Sequence, residues 1–340
     1  MTLMQKTIKK ENTGQVPIWF MRQAGRYLPE YRKLKEGRDF MQLVMDPELA
    51  SEITLQPVNR LDVDAAIIFS DIMVILHALD LDVSFATGAP EIHKVVRNLD
   101  DLNKVKGDYS KEKLISQLGF YTKAIQLTRE RLDESKSLIG FAAAPFTLAS
   151  YMIEGKTSKT HARVRANMYE ESGFFADLMQ FIADSTIDYL NLQIDAGVDV
   201  VQLFDSWGDS LDTQSYLQNN IPYIKQIAQA ISKRVPVIFF CRGASIHRND
   251  LLDLYESGVS VISMDWRLPI DTFGDHAVQG NLDPAVLLTN PETVTKKTLE
   301  LLSKRGSKPG YIFNLGHGIY PETPVENVEA MVKTVKEFRS

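Results

Sequence analysis

Two arginines, Arg22 and Arg26, lie four residues apart in the stretch FMRQAGRYLPEYR, which covers residues 20–32. Gly25 between them and Pro29 just beyond them favour a loop rather than a helix. Arginine matches the geometry of carboxylate and phosphate groups through paired N–H donors, and it stays charged at any working pH. The pattern therefore predicts a loop that binds an anion.

The charge of this region differs from that of the whole chain. The 340 residues carry a formal net charge of −6, whereas residues 22–38 contain six basic and two acidic residues, a balance of +4. An acidic chain without a basic stripe is not typical of a nucleic-acid-binding protein. A solvated surface segment would explain the local charge as readily as an anion site, so both interpretations stay open at this point.

The remaining composition limits the class of protein. Cys241 is the single cysteine, so the chain has neither an intrachain disulfide nor a spaced pair of thiols for zinc. This favours a reducing, cytoplasmic setting. No apolar run approaches 18 residues and the first residues lack an apolar signal core, so we expect neither a membrane span nor a secretory signal.

Short apolar runs alternate with longer segments of helical spacing, which indicates a (β/α)8 TIM barrel forming a single domain over residues 1–340. Most of the runs are almost continuously apolar, as in a parallel sheet that is buried on both faces. An open doubly wound sheet is the alternative, and it is less favoured because no predicted strand leads into a G-x-G-x-x-G turn. The eight predicted strands are Val16–Met21, Ala65–Ser70, Leu138–Ala143, Asp199–Phe204, Pro236–Cys241, Ser260–Met264, Ala277–Gly280 and Tyr311–Leu315.

Residues 81–96 alternate in polarity around Thr87-Gly88, which predicts a β-hairpin inserted after the second strand. Helical spacing predicts helices over Leu114–Glu134 and over Phe174–Ala196, the latter ended by Gly197.

Three capping pairs with proline at the first helical position predict further helix starts. They are Asp46-Pro47, Asp283-Pro284 and Thr323-Pro324. Pro57 should kink or end the first of these helices.

In a barrel, the loops after the carboxyl ends of the strands carry the chemistry. Here they hold charged and polar residues that suit an anion, since Tyr, Ser and His add neutral hydrogen-bond donors to those of arginine. Each of these residues also has a structural interpretation; Asp71, for example, could cap the following helix. Neighbouring apolar residues (Phe20, Met21, Phe146, Trp207) predict a ligand with an organic body. The polar positions are Arg22, Asp71, Tyr151, Asp205, Ser206, Arg242, Asp265, Asn281 and His317.

Two long segments carry a family resemblance. PIWFMRQAGRYLPEYR at Pro17–Arg32 and GFAAAPFTLASYMIEG at Gly140–Gly155 resemble the two signatures of the uroporphyrinogen decarboxylase family of tetrapyrrole biosynthesis. AAIIFSDI, FDSW and NLGHGI fall where that family places its other site segments. The resemblance implies a TIM barrel that forms a homodimer and uses neither cofactor nor metal.

The resemblance also implies a substrate and a reaction. The substrate is uroporphyrinogen, a flexible macrocycle of four pyrroles with eight carboxylates. Its four acetate side chains lose CO2 and become methyl groups, which yields coproporphyrinogen. The arginine-rich loop would then bind the carboxylates of this octa-acid.

The resemblance implies roles for particular residues. Asp71 would accept the pyrrole N–H groups and stabilise a cationic ring, and we expect the arginines to lower the pKa of Asp71. Arg22 takes the proton-donor role by resemblance, although water or His317 is a chemically easier source. The implied catalytic residues are Asp71 and Arg22, and the implied substrate-binding residues are Arg22, Gln23, Ala24, Gly25, Arg26, Asp71, Tyr151, Ser206 and His317.

Two positions depart from some family members, which have arginine near Lys35 and histidine at Trp207; both stay outside the predicted site. Other functions remain open. A non-enzymatic tetrapyrrole carrier would need the arginines but not Asp71. A related corrinoid- or zinc-dependent methyltransferase would need clustered Cys and His ligands. A barrel acting on a phosphate ester would suit the glycines around His317.

Overall fold

A seven-stranded parallel sheet forms the centre of the protein, in a computed structural model that describes residues 1–11, 14–85, 88–170, 173–305 and 308–339. The strands follow one another around the sheet in chain order, and all the neighbouring pairs are parallel. Helices lie between most of the strands along the chain, as in a TIM barrel, whereas β7 and β8 are joined by the turns of residues 265–277. The seven strands are β1 (Ala65–Ile67), β4 (Ser137–Ala143), β5 (Val200–Asp205), β6 (Val237–Cys241), β7 (Val259–Met264), β8 (Val278–Leu282) and β9 (Tyr311–Leu315).

The helices pack on the outside of this sheet around one hydrophobic core. In chain order they are α1 (Leu3–Ile8), α2 (Pro29–Lys35), α3 (Phe40–Met45), α4 (Pro47–Leu61), α5 (Val74–Ala78), α6 (Leu99–Asp108), α7 (Lys111–Gln117), α8 (Gly119–Arg131), α9 (Pro145–Glu154), α10 (Ala162–Tyr169), α11 (Phe174–Ala196), α12 (Thr213–Asn219), α13 (Ile221–Ile231), α14 (Arg248–Glu256), α15 (Pro291–Arg305) and α16 (Val325–Glu337). Two 3₁₀ helices cover Gly208–Ser210 and Pro284–Leu288. Among the helices of the described ranges, none is both long and apolar enough to cross a membrane.

The predicted first strand, Val16–Met21, was wrong as a strand, although it lies where a barrel needs one. It makes an isolated parallel bridge from Ile18 to Phe313 of β9, and the Phe313 N–H donates to the Pro17 carbonyl at 2.9 Å. On its other side, the Ile18 N–H donates to Asp64 Oδ2 at 2.8 Å, and the Asp64 N–H donates to the Ile18 carbonyl at 2.7 Å. The segment therefore joins the two edges of the sheet, partly through a carboxylate side chain rather than a second backbone ladder.

A buried polar layer anchors this closing segment inside the barrel. Trp19 Nε1 donates to Gln279 Oε1 at 2.9 Å, and Gln279 Nε2 donates to Gln202 Oε1 at 3.0 Å and to Ser263 Oγ at 2.9 Å. All four polar groups lie in the core, where an unpaired donor or acceptor would be costly. The layer thus positions the chain just ahead of Arg22.

The predicted hairpin after the second strand position is confirmed. β2 (Val83–Ser84) pairs antiparallel with β3 (Glu91–Ile92), and the hairpin lies in the long connection between β1 and β4. Thr87, near which the turn was predicted, lies outside the described residues.

The helix predicted over Phe174–Ala196 was right, whereas the one over Leu114–Glu134 was wrong in its continuity and its bounds. Helix α11 has the predicted bounds, and Gly197 follows it with a φ of 117°. The segment predicted as one helix over Leu114–Glu134 is divided at Leu118 into α7 and α8. Pro57 does not end α4, which continues to Leu61.

The capping predictions were right for two of the three pairs. Asp46 Oδ1 accepts from the Glu48 and Leu49 N–H groups, and the Asp283 side chain caps a 3₁₀ helix. Helix α16 begins one residue later than predicted, with Pro324 rather than Thr323 at the N-cap.

We predict that Asp64→Ala destabilises the fold by about 1–3 kcal/mol, because the buried Ile18 N–H then loses its acceptor. Asp62→Ala is the matched control, since the exposed Asp62 shares the Lys336 ion pair with Asp64 but binds no strand backbone. Urea unfolding of the two variants and the parent chain measures the difference. Equal midpoints for the two variants would remove the closing role assigned to Asp64.

Candidate active site

Arg22 follows the closing segment and has an unusual backbone conformation. Its φ is +64°, in the left-handed region that costs a residue with a side chain about 1–3 kcal/mol. The neighbouring backbone is fixed, since the Met21 N–H donates to Asn314 Oδ1 at 3.2 Å and the Ile319 N–H donates to the Met21 carbonyl at 3.1 Å. The conformation of Arg22 is therefore imposed by its attachment to β9 and the loop after it.

The Arg22 side chain lies against the loop that follows β9. A Cβ added to Gly318 would lie 2.5 Å from Arg22 Cδ and 2.9 Å from Nε. Glycine at 318 is thus what leaves space for the arginine. The same loop carries His317, so the structure brings these two predicted site residues together.

Asp71 lies in the turn after β1 and is half-buried. Its Oδ1 accepts from the Met73 N–H at 2.9 Å, while helix α5 has Met73 rather than Asp71 at its N-cap. Burial raises the pKa of Asp71, and the Met73 N–H and the Arg22 charge oppose that rise. The prediction that arginine lowers this pKa was right about the effect of Arg22 and wrong about the net direction, because burial outweighs it.

His317 is largely buried, and its ring packs edge-on against Phe240 with 6.1 Å between centroids. Burial lowers the pKa of His317 from 6.5 to about 4, and the charges of Arg22, Arg242 and Arg267 act in the same direction. The imidazole is therefore neutral at neutral pH. It provides a hydrogen-bonding group beside the arginines rather than another positive charge.

Tyr151 projects from α9 and is buried, with its ring 6.2 Å from that of Trp207 and its hydroxyl 3.4 Å from Thr157 Oγ1. Burial raises the pKa of Tyr151, the Asp71 charge adds to the rise, and the Arg22 charge opposes it. The charges of Asp71 and Arg22 thus both act on the Tyr151 hydroxyl. Four of the predicted residues are thus linked by charge interactions: Arg22, Asp71, Tyr151 and His317.

Ser206 is half-buried after β5 and is held by the layer beneath it. Its N–H donates to Thr147 Oγ1 at 3.0 Å, and Thr147 Oγ1 donates to Asp205 Oδ1 at 3.0 Å. The buried Asp205 carboxylate also accepts from Tyr216 and Asn220, each at 2.9 Å. Burial raises the pKa of Asp205 to about 6. Asp205 thus supports the loop on which Ser206 and Trp207 lie.

The other predicted residues of the arginine loop have different surroundings. Gln23 is buried, and its side chain bonds the Ala65 carbonyl at 2.9 Å and the Phe20 N–H at 3.1 Å, so it supports the loop from within. Ala24 and Gly25 are partly exposed. Arg26 is exposed, and its charge acts on Tyr31.

Part of the local positive charge has a structural use. Arg32 Nη1 donates to the carbonyls of Arg26 and Tyr27 at 2.9 and 2.8 Å, and Arg38 donates to the Leu34 carbonyl at 2.9 Å. The surface interpretation thus holds for Arg32 and Arg38, and the anion site stays a prediction for Arg22 and Arg26.

Sequence reasoning overlooked two features of the site. Arg242 was noted after its strand but was not included in the site, and Arg267 comes three residues beyond β7, too far for a search limited to strand ends. The positive charges of both arginines lower the pKa of His317. Two of the apolar residues that led us to expect a ligand with an organic body, Phe20 and Phe146, are fully buried in the core. Across the ranges that the structure describes, no group of three or more His, Cys, Asp or Glu side chains is arranged to hold a metal ion.

The fold and the site together define a (β/α)8-barrel protein with an arginine-lined site at the strand ends. A methyltransferase from Methanosarcina mazei has the same fold, with a TM-score of 0.80 and 18% sequence identity over 98% of this chain and 97% of that one. The family model described as uroporphyrinogen decarboxylase (URO-D) matches residues 1–338. The chain belongs to the uroporphyrinogen decarboxylase family.

Curated relatives agree with this assignment. The uroporphyrinogen decarboxylase of Coxiella burnetii is 43% identical over 345 residues, covering 98% of this chain and 94% of that protein. That of Carboxydothermus hydrogenoformans is 41% identical over 343 residues, covering 98% and 96%.

We predict that Gly318→Ala lowers the rate of uroporphyrinogen decarboxylation by about 10²-fold, because the new methyl group displaces the Arg22 side chain by about an ångström. Gly107→Ala is the control, since a Cβ there meets nothing within 4 Å. Rates are compared after thermal melting shows that both variants are folded. An unchanged rate for Gly318→Ala would mean that the position of Arg22 is unimportant.

We further predict that Arg22→Gln raises the pKa of His317 above about 4, since a guanidinium disfavours the neighbouring imidazolium. Because the folded pKa lies below the unfolded value of about 6.5, the stability contributed by neutral His317 is present above pH 6.5 and is lost as the pH falls towards 4. NMR titration of the imidazole protons measures this pKa, with the signal assigned by its loss in His317→Asn. Arg234→Gln, which changes an arginine ahead of β6, should leave the pKa of His317 unchanged. An equal shift of this pKa in both variants would contradict the proximity of Arg22 to His317.

Proposed function

We propose that this protein is a carboxy-lyase that decarboxylates the four acetate side chains of uroporphyrinogen III to methyl groups, yielding coproporphyrinogen III in porphyrin and heme biosynthesis. The observation that carries the proposal is the half-buried Asp71 carboxylate beside the Arg22 guanidinium, in a chain of the uroporphyrinogen decarboxylase family. An exposed guanidinium whose charge acts on a half-buried carboxylate suits a substrate that is itself polyanionic and becomes positive in the reacting ring.

A carboxylate leaves as CO2 only if its electron pair has an acceptor. We propose that the substrate pyrrole is that acceptor and that no cofactor takes part. Protonation of a ring carbon makes the pyrrole a cationic, imine-like ring. The C–C bond to CO2 then breaks, and its electron pair forms an exocyclic C=C bond and neutralises the ring. A proton then adds to the exocyclic carbon, and the ring carbon releases the proton that it had gained, which restores the pyrrole with a methyl group.

Asp71 would stabilise the cationic ring. Two opposite unit charges about 4 Å apart attract by about 4 kcal/mol at an effective dielectric constant near 20, against about 1 kcal/mol in water. Burial raises the pKa of Asp71, so its carboxylate is poorly hydrated and gains more from a cation than an exposed acid would. An attraction made mainly in the transition state would raise the rate by up to about three orders of magnitude.

The arginines and the neutral donors would hold the substrate. Arg22 would bind the carboxylate of the reacting acetate, and Arg26 another carboxylate further out. Tyr151, Ser206 and His317 would supply hydrogen bonds. Since arginine is a very poor acid, we propose that water delivers the proton to the ring while Arg22 binds and orients the acetate.

The non-enzymatic carrier is a weaker candidate. A carrier for an octa-anion would gain nothing from a poorly hydrated carboxylate in its binding site, because Asp71 would repel the ligand. The likeness to a methyltransferase concerns the fold alone, at 18% identity. The family resemblance further leads us to infer a cytoplasmic homodimer, an oligomeric state that sedimentation of the purified chain would test.

The test is anaerobic incubation of the chelator-treated protein with uroporphyrinogen, followed by separation of the products by carboxylate number. We predict that Asp71→Asn lowers kcat by up to about 10³-fold while substrate binding, measured by equilibrium dialysis, persists, because the amide keeps the shape but loses the charge. Asp62→Asn, an exposed carboxylate, is the control.

The outcomes separate the candidates. No CO2 release by the parent chain would reject the decarboxylase, and release only on adding back metal would favour a metal-dependent reaction. Parent-like turnover by Asp71→Asn would remove Asp71 from the mechanism, and binding without turnover by the parent chain would favour a carrier.

A further inference from the structure

Two arginines outside the predicted site, Arg242 after β6 and Arg267 after β7, lie on loops that reach the loop carrying His317. We propose that they form a second carboxylate-binding position for the tetrapyrrole substrate, separate from Arg22. The inference rests on the proposed function and adds to it two residues that bind the substrate.

Arg242 is held in place but remains accessible. Its Nε pairs with Asp209 Oδ2 at 3.1 Å, and its guanidinium lies over the Trp207 ring, 5.4 Å from the centroid. The side chain is 34% exposed. Since the ion pair engages Nε, the two terminal nitrogens still carry four N–H donors in the planar fork that matches a carboxylate.

Arg267 is held by a buried acid. Its Nη1 pairs with Asp265 Oδ2 at 2.5 Å, and its side chain is 41% exposed, whereas that of Asp265 is fully buried. Asp265 also accepts from the Gly243 N–H at 2.8 Å and the Arg267 N–H at 3.0 Å. One carboxylate therefore joins the loop after β6 to the loop after β7 and keeps the two arginines on adjoining segments.

Both loops contact the neighbourhood of His317. A Cβ added to Gly316 would lie 2.5 Å from the Trp266 N atom, so the chain next to Arg267 packs on the start of the loop that contains His317. The Arg22 side chain packs on Gly318 of the same loop. Phe240, two residues before Arg242, packs against the His317 ring. Arg242 and Arg267 lower the pKa of His317, as Arg22 does, which agrees with this geometry.

The chemistry of the substrate favours such a position. A macrocycle with eight carboxylates presents acids in several directions, and one arginine cannot meet them all. Trp207 beside Arg242 offers an apolar face for a pyrrole. Two guanidinium groups on adjoining loops would bind an acid other than the one at Arg22. Binding energy from such a remote group positions the reacting acetate at Asp71.

A purely structural role is the competing explanation, because each arginine has an acidic partner. The two explanations differ in what the substitutions change. A loop anchor lost at Arg267 would lower stability, whereas a lost substrate contact would raise KM and reduce its dependence on salt. Arg242→Gln is the cleaner variant, since its partner Asp209 is partly exposed and remains hydrated.

The experiment measures kcat and KM for uroporphyrinogen with Arg242→Gln, Arg267→Gln and the double variant, at low and high salt. We expect each single substitution to raise KM about tenfold with a smaller change in kcat, as for one charged hydrogen bond lost. The double variant should lose part of the salt dependence of KM, since Arg22 and Arg26 keep their charges. Arg267→Lys, which keeps the charge, should recover part of the KM.

Arg234→Gln is the matched control. Arg234 is 39% exposed and pairs with Asp195 at 2.6 Å, but it precedes β6 and so lies at the opposite end of the barrel. Unchanged KM in both single variants, in a parent enzyme that turns over, would overturn this inference and leave the proposed function intact. Lower stability in Arg267→Gln with parent-like KM in Arg242→Gln would equally overturn it. No turnover by the parent enzyme would instead reject the proposed function.

Discussion

The site depends on the attraction between the exposed Arg22 guanidinium and the Asp71 carboxylate, which the fold keeps partly out of water. Arg22 is held with a left-handed backbone against the loop after β9, and Asp71 is held in the turn after β1. Burial makes the Asp71 charge unfavourable, and the Arg22 charge offsets part of that cost. The result is a carboxylate ready to stabilise a cation, together with a guanidinium that can bind another carboxylate. The proposed chemistry needs both of these properties at once.

Buried aspartates hold the backbone around this pair. Asp64 fastens the closing segment ahead of Arg22, Asp205 supports the Ser206 loop, and Asp265 joins the loops of Arg242 and Arg267. Each carboxylate accepts more than one hydrogen bond, which compensates for its burial. Loops over a barrel have few regular backbone partners of their own, so such acids supply the acceptors that a sheet would otherwise provide.

Burial shifts the pKa values of the titratable site residues more than the neighbouring charges do. It raises the pKa of Asp71 and Tyr151 and lowers that of His317, in each case favouring the uncharged form. The arginines stay charged because guanidinium resists deprotonation. An incoming polyanion therefore meets fixed positive charges among neutral donors, and it meets one poorly hydrated acid where the ring cation would form.

The barrel class, the helix of Phe174–Ala196 and the family follow from the sequence, because hydrophobic periodicity, capping residues and long motifs are local features of the chain. The sequence also indicated Arg22, Asp71, Tyr151 and His317, since residues that follow parallel strands gather at one end of a barrel. The three-dimensional structure was needed to show that Val16–Met21 closes the ring through Asp64 without forming a strand. It alone showed that burial reverses the expected pKa shift of Asp71 and that Arg242 and Arg267 lie near His317. Desolvation and contacts between distant loops depend on how the whole chain packs, and no short segment contains that information.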